Sequence, residues 1–291
     1  METNKCIICE KNDNSPFIEV SDRLAKDNNI YQLVKCKCGF IYLNPRPSES
    51  NIYTYYNSGE YDPHKIESNN VFNKIYKVVQ WAALKWKKRK ISKFYKCGKL
   101  LDIGGGNGDF AEFMMLNGWN VVMQDKVSSQ FDSIINKNIS ITENLDSIME
   151  NDSFDVITLW HSLEHIHNIK ELFLHINRLL SPQGILVIAL PNINSPERPF
   201  LGENWAPYDA PRHLYHFNLK ALHRLCGKYK FDIIRKYSLF QDTPYNVLLS
   251  LKNDSLIQYL KGIILSLYSI LRTMFRGPTH SSSVVVICKK I

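Results

Sequence analysis

The sequence predicts an α/β protein built on a largely parallel sheet. Short, almost wholly apolar runs alternate with stretches of helical spacing, as strands covered on both faces by helices require. A glycine-rich turn follows one of these runs. The polar residues that stand out lie just past the end of a run, where ligands bind in such sheets.

The segment Lys99 to Asp109, KLLDIGGGNGD, organises the rest. Leu100, Leu101 and Ile103 supply a buried strand, and Phe110, Ala111, Phe113, Met114 and Leu116 continue at helical spacing up to Asn117-Gly118. Glycines at that junction permit positive φ and let a ligand approach the backbone, beside the unpaired N–H groups of a helix start. A dinucleotide fingerprint would need glycine at 104, 106 and 109, but position 109 is Asp. Asp102, at the mouth of the turn, points instead to a ligand that carries an ammonium group. The next strand, Trp119 to Gln124, ends at Asp125, a carboxylate placed to accept from ribose hydroxyls.

Further strands are predicted at Ile139 to Thr142, Phe154 to Trp160, Ile185 to Leu190, Phe231 to Tyr237 and Ser283 to Cys288. A helix through Leu172, Phe173, Ile176, Leu179 and Leu180 is stopped by Ser181-Pro182-Gln183-Gly184. Asn144, His161 and Asn192 fall at the carboxyl ends of their strands. With the glycine turn and Asp125, they converge on one rim.

The chain has 291 residues, 44% hydrophobic and 22% charged, a globular composition that excludes a disordered chain. No signal peptide is visible, which gives a cytoplasmic expectation. Seven cysteines, four of them near the start, fit reduced thiols and a metal site better than a disulfide framework. Cys6-x-x-Cys9 and Cys36-x-Cys38-Gly39 offer four thiolates for a structural, tetrahedral Zn²⁺ in a small module over residues 1–47, although the second pair is one residue short of the usual spacing. Asn44-Pro45-Arg46-Pro47 ends that module. A connector, 48–97, follows with Ile52, Tyr53, Tyr55, Tyr56 and Tyr61 and the basic run Lys85 to Lys90. The net charge of +8 invites a nucleic-acid reading, but the apolar residues interleaved with that run fit a helix with an ordinary solvated face.

The pattern D-x-G-x-G-x-G followed by a strand ending in an acid resembles the class I S-adenosylmethionine-dependent methyltransferases. The segments FDVITLWHSLEHIHN, LLSPQGILVIALPNINSP and PRHLYHFNLKALHRLCGKYKFDI are similar to successive motifs of a group with an N-terminal zinc-ribbon-like segment, associated with modifying sugars and polysaccharides. The resemblance implies a seven-stranded, Rossmann-like methyltransferase domain over 98–291 whose last strand is antiparallel. It implies that Asp102, Gly104 and Gly106 hold the methionine moiety, Asp125 the ribose and Asn144-Leu145 the adenine, with His161 near the sulfonium. No counterpart of the further C-terminal domain of the sugar C-methyltransferases is expected. The expected reaction is methyl transfer to a small-molecule or glycan acceptor, foremost a sugar oxygen. An RNA-directed methyltransferase, or a nucleic-acid-binding protein using the zinc module and basic helix, is the alternative.

For an oxygen acceptor a base is needed, and histidine is suited to it at cellular pH. The stretch Tyr208 to Phe217 resembles the Y-H-E-H-x-x-Y-F segment of sugar C-methyltransferases, whose basic histidine falls on His213, with Asp209 and Arg212 to orient it or clamp the substrate. A rival reading makes His161, Glu164 and His165 ligands of a divalent metal, since quinone O-methyltransferases have a similar segment. Finally, Pro244 to Phe275 is rich in leucine and isoleucine but interrupted by Lys252, Lys261 and Arg272. A pair of amphipathic helices forming a lid near 244–276 is expected there, with peripheral membrane contact, suited to a lipid-linked glycan, as the second reading.

Overall fold

The computed structural model describes residues 1–24, 29–56, 71–126, 139–149, 153–251 and 255–291, with backbone alone over 71–76. Tyr61 and Lys252, singled out above, lie outside the described residues.

Among the described residues the main sheet has seven strands: β4 (Lys99–Ile103), β5 (Asn120–Gln124), β6 (Ser140–Thr142), β7 (Phe154–Trp160), β8 (Leu180–Pro191), β10 (Phe231–Ser238) and β11 (Ser283–Lys290). Their spatial order is β10-β11-β8-β7-β4-β5-β6. Only β11 runs antiparallel, paired to both β8 and β10. The chain moves outward from β4 through β5 and β6, then returns to β4's other side with β7. That reversal at β4 is the topological switch point, where a crevice opens beyond the strand ends.

Burial explains the elements. In β4 Leu100, Leu101 and Ile103 are at most 1% exposed, as a central parallel strand covered on both faces demands. Helix α2 (Asp109–Met115) starts from Gly108, which sits at φ +75°, a conformation glycine adopts without steric penalty. Helix α3 (Ile169–Leu179) begins where the Asn168 side chain accepts from the Glu171 N–H, and buries Leu172, Phe173, Ile176 and Leu179 at helical spacing. Each of those side chains contributes about 1.5–3 kcal/mol. Strand β8 starts earlier than the sequence suggests: Leu180 already pairs with Phe154, and residues 181–184 are taken up as an irregularity before Ile185 pairs with Val156.

A second, antiparallel sheet has the order β1-β2-β3-β9, from β1 (Asn14–Ser21), β2 (Ile30–Cys36), β3 (Ile41–Leu43) and β9 (Tyr215–His216). Its fourth strand comes from the far end of the sequence, so the first 47 residues share a sheet with the segment that carries His213. Cys6, Leu33, Tyr42 and Leu43 also belong to the same continuous core as β4, β7 and β8. Arg212 closes the junction: it is 1% exposed, donates twice to Asp22 and twice to Asp209, and reaches the Tyr55 carbonyl.

Helix α1 (Val71–Ile91) carries the basic run; after α4 (Arg198–Leu201) and α5 (Leu219–Lys228), α6 (Asp242–Leu249) and α7 (Leu256–Arg276) lie between β10 and β11. Among the described residues no helix is long and apolar enough to cross a membrane.

Candidate active site

A cleft of about 1470 Å³ opens beyond the carboxyl ends of β4, β5 and β7. Asp102, Gly104, Gly106, Asp125, Asn144 and Leu145 all line it, as do His161, Asp209 and His213. The rim inferred from the sequence is therefore one continuous space.

At its floor the Asp102 carboxylate is 2% exposed and accepts from the Thr158 hydroxyl at 2.6 Å. Burial raises its pKa to about 6, against the pull of Thr158 and the nearby Lys87 ammonium. The turn that follows is drawn back onto the sheet, since the N–H groups of Gly104 and Gly105 both donate to the Gln124 carbonyl. Gly104, at φ +70°, has no room for a Cβ, which would lie 2.5 Å from Cβ of Ser162. Gly106, at φ +56°, donates its N–H to the Asp125 carboxylate at 2.7 Å. Asp125 is thus held over the turn by the turn itself. Beyond β6, the Asn144 side chain accepts from the Asp146 N–H to start a short turn in which Leu145 is buried.

The opposite wall is built from the end of β7 and the segment before β9. His161 occupies a left-handed conformation, φ +54°, which turns its ring toward α6. Nε2 lies 3.0 Å from Asp242 and Nδ1 lies 3.6 Å from Glu164, the latter a charge attraction too long for a hydrogen bond. Burial opposes protonation of His161, but Asp242 and Glu164 together outweigh it and raise its pKa to about 9. Glu164 is 1% exposed, and among the described residues neither carboxylate oxygen has a hydrogen-bond partner. Burial opposes its charge, yet the surrounding histidines hold its pKa at about 2.

His165 and His213 meet edge to face, with ring centroids 4.5 Å apart. Nδ1 of His213 lies 2.8 Å from the Pro207 carbonyl, and Nδ1 of His165 lies 3.1 Å from the Arg212 carbonyl and 2.9 Å from the Tyr56 hydroxyl. A carbonyl only accepts, so each Nδ1 is the donor, and in the singly protonated ring the lone pair lies on Nε2. Burial and His213 push the His165 pKa down to about 4. Ligand atoms of Glu164, His165 and His213 lie within 4.8 Å of one another.

Several placements differ from the sequence reading. Arg212 is committed to Asp22 and Asp209, so it is not positioned as a substrate clamp. Both Asp209 oxygens receive Arg212, and Asp209 steadies His213 through its backbone carbonyl, which accepts the His213 N–H at 2.9 Å. The residues grouped closely enough to hold a metal ion are Glu164, His165 and His213, while His161 turns to Asp242. Lys87, from the run read as a solvated face, enters the cleft with its ammonium 4.4 Å from the Trp160 ring centroid, and burial lowers its pKa. From α6, Asp242, Tyr245, Asn246 and Leu249 line the cleft, whereas no residue of α7 does. Lys87 and Asp242 had no local signal, because each is recruited from an element distant in sequence.

Away from the cleft, Cys6 Sγ lies 3.5 Å from Cys38 Sγ and Cys9 Sγ lies 3.4 Å from Cys36 Sγ, with all four within 4.8 Å. A tetrahedron of thiolates bonded at about 2.3 Å has edges of about 3.8 Å. The shortened Cys36-x-Cys38 pair is accommodated because Gly39, at φ +92°, turns the chain and donates to the Cys36 carbonyl.

A mixed seven-stranded sheet with an acid, a glycine turn and a second acid at its switch point defines a Rossmann-like methyltransferase fold. Residues 72–236, more than half of the chain, match the family described as a methyltransferase domain, and the chain belongs to that family. Over 110 residues it is 29% identical to a ubiquinone biosynthesis O-methyltransferase of Rickettsia bellii (strain OSU 85-389), an alignment covering 35% of this chain. The chain spans 45% of the length of that curated relative. Two solved structures share the fold. One is magnesium protoporphyrin IX methyltransferase from Synechocystis PCC 6803 with bound SAH (TM-score 0.54, 12% identity, 84% of this chain and 100% of that one). The other is a putative sarcosine dimethylglycine methyltransferase from Galdieria sulphuraria (TM-score 0.51, 15% identity, 83% of this chain and 98% of that one).

Proposed function

We propose that the protein transfers a methyl group from S-adenosylmethionine to an oxygen of a small-molecule or glycan acceptor, foremost a sugar hydroxyl. The observation that carries this reading is the single cleft in which the Asp102 to Asp125 apparatus faces His213. S-adenosylmethionine, when bound, supplies an electrophilic methyl on a sulfonium. Asp102 receives the ammonium of the methionine moiety, and Lys87, electrostatically coupled to Asp102, receives its carboxylate. Gly104 and Gly106 let the backbone approach, Asp125 accepts from the ribose hydroxyls, and Asn144 and Leu145 border the adenine. His161 stands between this half and the acceptor half.

His213, its Nδ1 proton held by Pro207, presents Nε2 as the base that takes the acceptor proton. The polar wall of His161, Asp242 and Asp209 suits a hydroxylated acceptor. That the Rickettsia bellii relative is described as an O-methyltransferase supports oxygen as the nucleophile. The four cysteines hold a structural Zn²⁺ that braces the sheet carrying β9, and with four thiolates it keeps no open position for chemistry.

A second reading is favoured by the unbonded Glu164 carboxylate: with His165 and His213 it holds a divalent cation, which would acidify a bound hydroxyl. A screen of cell-extract fractions for methyl acceptance from labelled S-adenosylmethionine tests the function. Label in a small glycan or polyol supports the first reading. Acceptance abolished by ribonuclease turns it into an RNA methyltransferase, and activity lost with EDTA and restored by a divalent ion moves the chemistry to the cation. Failure to bind S-adenosylmethionine by calorimetry defeats both readings.

A further inference from the structure

Helix α7 is inverted relative to an ordinary surface helix. The face it turns to the protein carries small and polar residues, Gly262, Ser266, Ser269 and Thr273, all buried. Gly262 sits against Val247 and Leu251, the Ser269 hydroxyl donates to the buried Glu197 at 2.5 Å, and Thr273 donates to the His280 carbonyl at 2.8 Å. Those bonds fix the rotation of the helix. Its large apolar residues consequently point away: Ile257 is 66% exposed, Ile264 68%, Met274 67% and Phe275 87%. Leu260, Ile263, Leu267 and Leu271 fill the rows between them, each more than half exposed. A continuous stripe of this kind along 21 residues, about 30 Å, greatly exceeds the isolated apolar residues of normal surfaces.

The charges on the helix are of one sign. Lys261, Arg272 and Arg276 are exposed, and no Asp or Glu occurs between 256 and 276. By helical spacing the three cations share one flank of the apolar stripe. Two copies of this face packed about a two-fold axis would bring unneutralised cations together, whereas an anionic bilayer neutralises them while the apolar stripe enters the acyl boundary. The apolar surface also continues onto α6, where Leu248 and Leu249 are 46% and 41% exposed, and Leu249 lines the cleft.

We infer that α7 lies in the plane of an anionic membrane surface and seats the methyltransferase there, with the cleft opening next to the bilayer. This goes beyond the methyl-transfer reading and does not depend on which acceptor is used.

The test is co-sedimentation of the full chain with vesicles of phosphatidylcholine alone or with phosphatidylglycerol added. The expected result is binding to the anionic vesicles that weakens with salt. Ile264→Glu with Leu267→Glu is expected to lower partitioning by more than roughly tenfold. Both side chains point away from the protein, so melting temperature and S-adenosylmethionine affinity are expected to stay at the parent values. Lys261→Glu with Arg272→Glu is expected to remove the preference for anionic vesicles. No binding to either vesicle overturns the inference. A dimer in sedimentation equilibrium that Ile264→Glu dissolves also overturns it, because the stripe is then a protein interface.

Discussion

Replacing Asp102 by Asn should stabilise the ligand-free protein while disabling it, and the structure supplies the size of both effects. The carboxyl titrates at about 6 instead of 3.8 because burial penalises its charge. The folded protein therefore binds this proton more tightly than the unfolded chain. The associated stability is fully present below 3.8, falls as pH rises toward 6, and is gone at pH 7. That gap corresponds to about 3 kcal/mol. Asn is never charged and keeps a carbonyl oxygen for the Thr158 hydroxyl, so Asp102→Asn should recover much of that amount at neutral pH, a rise in melting temperature of about 5–10 °C. An ammonium brought by a ligand would neutralise the carboxylate, so the variant should bind S-adenosylmethionine more weakly by about 1.5–3 kcal/mol, or roughly 10- to 150-fold in Kd. Scanning calorimetry between pH 5 and 8 and titration calorimetry measure the two halves. The difference in melting temperature should shrink as pH drops below 6. A variant that melts lower than the parent at pH 7, or binds S-adenosylmethionine within about threefold of it, would refute the account of Asp102.

Three other outcomes follow from the geometry. His213→Ala should retain cofactor affinity and lose roughly 10²–10⁴-fold in turnover; full turnover in a rate assay would remove His213 from the chemistry. Arg212→Ala leaves Asp22 and Asp209 without their buried cation and should cost about 3–5 kcal/mol in urea unfolding, so a loss below about 1 kcal/mol would mean the junction relaxes. Cys36→Ser or a strong chelator should remove zinc, seen by elemental analysis of the purified chain, and lower the melting temperature; a parent protein with no bound metal would contradict the cysteine centre.

Much of the fold can be read without coordinates, for a local reason. The runs Phe154–Trp160 and Lys99–Ile103 are strands because their apolar periodicity lies within a few residues, and the glycine turn is legible because positive φ at Gly104 and Gly106 is a property of the residue itself. Asp102 and Asp125 share that legibility, since one lies just before and the other just past the end of a recognisable strand, and strand ends of a parallel sheet form one rim. The Cys6-x-x-Cys9 and Cys36-x-Cys38 pairs are equally plain, although only the structure shows all four sulfurs meeting.

What the tertiary structure alone decided are the choices among distant partners. Arg212 reads as a free clamp beside His213 until the chain folds and Asp22, 190 positions away, captures it. His161 reads as a ligand with Glu164 and His165 until α6 delivers Asp242 to its ring and His213 takes its place in the trio. Lys87 is one of six cationic or aromatic neighbours in sequence, yet it alone of Lys85 to Lys90 lines the cleft, because helix rotation selects it. The same holds for α7: its pattern reveals an amphipathic helix, but which stripe faces inward is set by Glu197, Val247 and Leu251. The sequence by itself therefore determined the strands of the main sheet, the glycine turn and its two acids, because those depend on neighbours along the chain. Pairings across the fold depend on contacts that exist only after it closes, and they decided which charged and apolar side chains are buried and which remain to act.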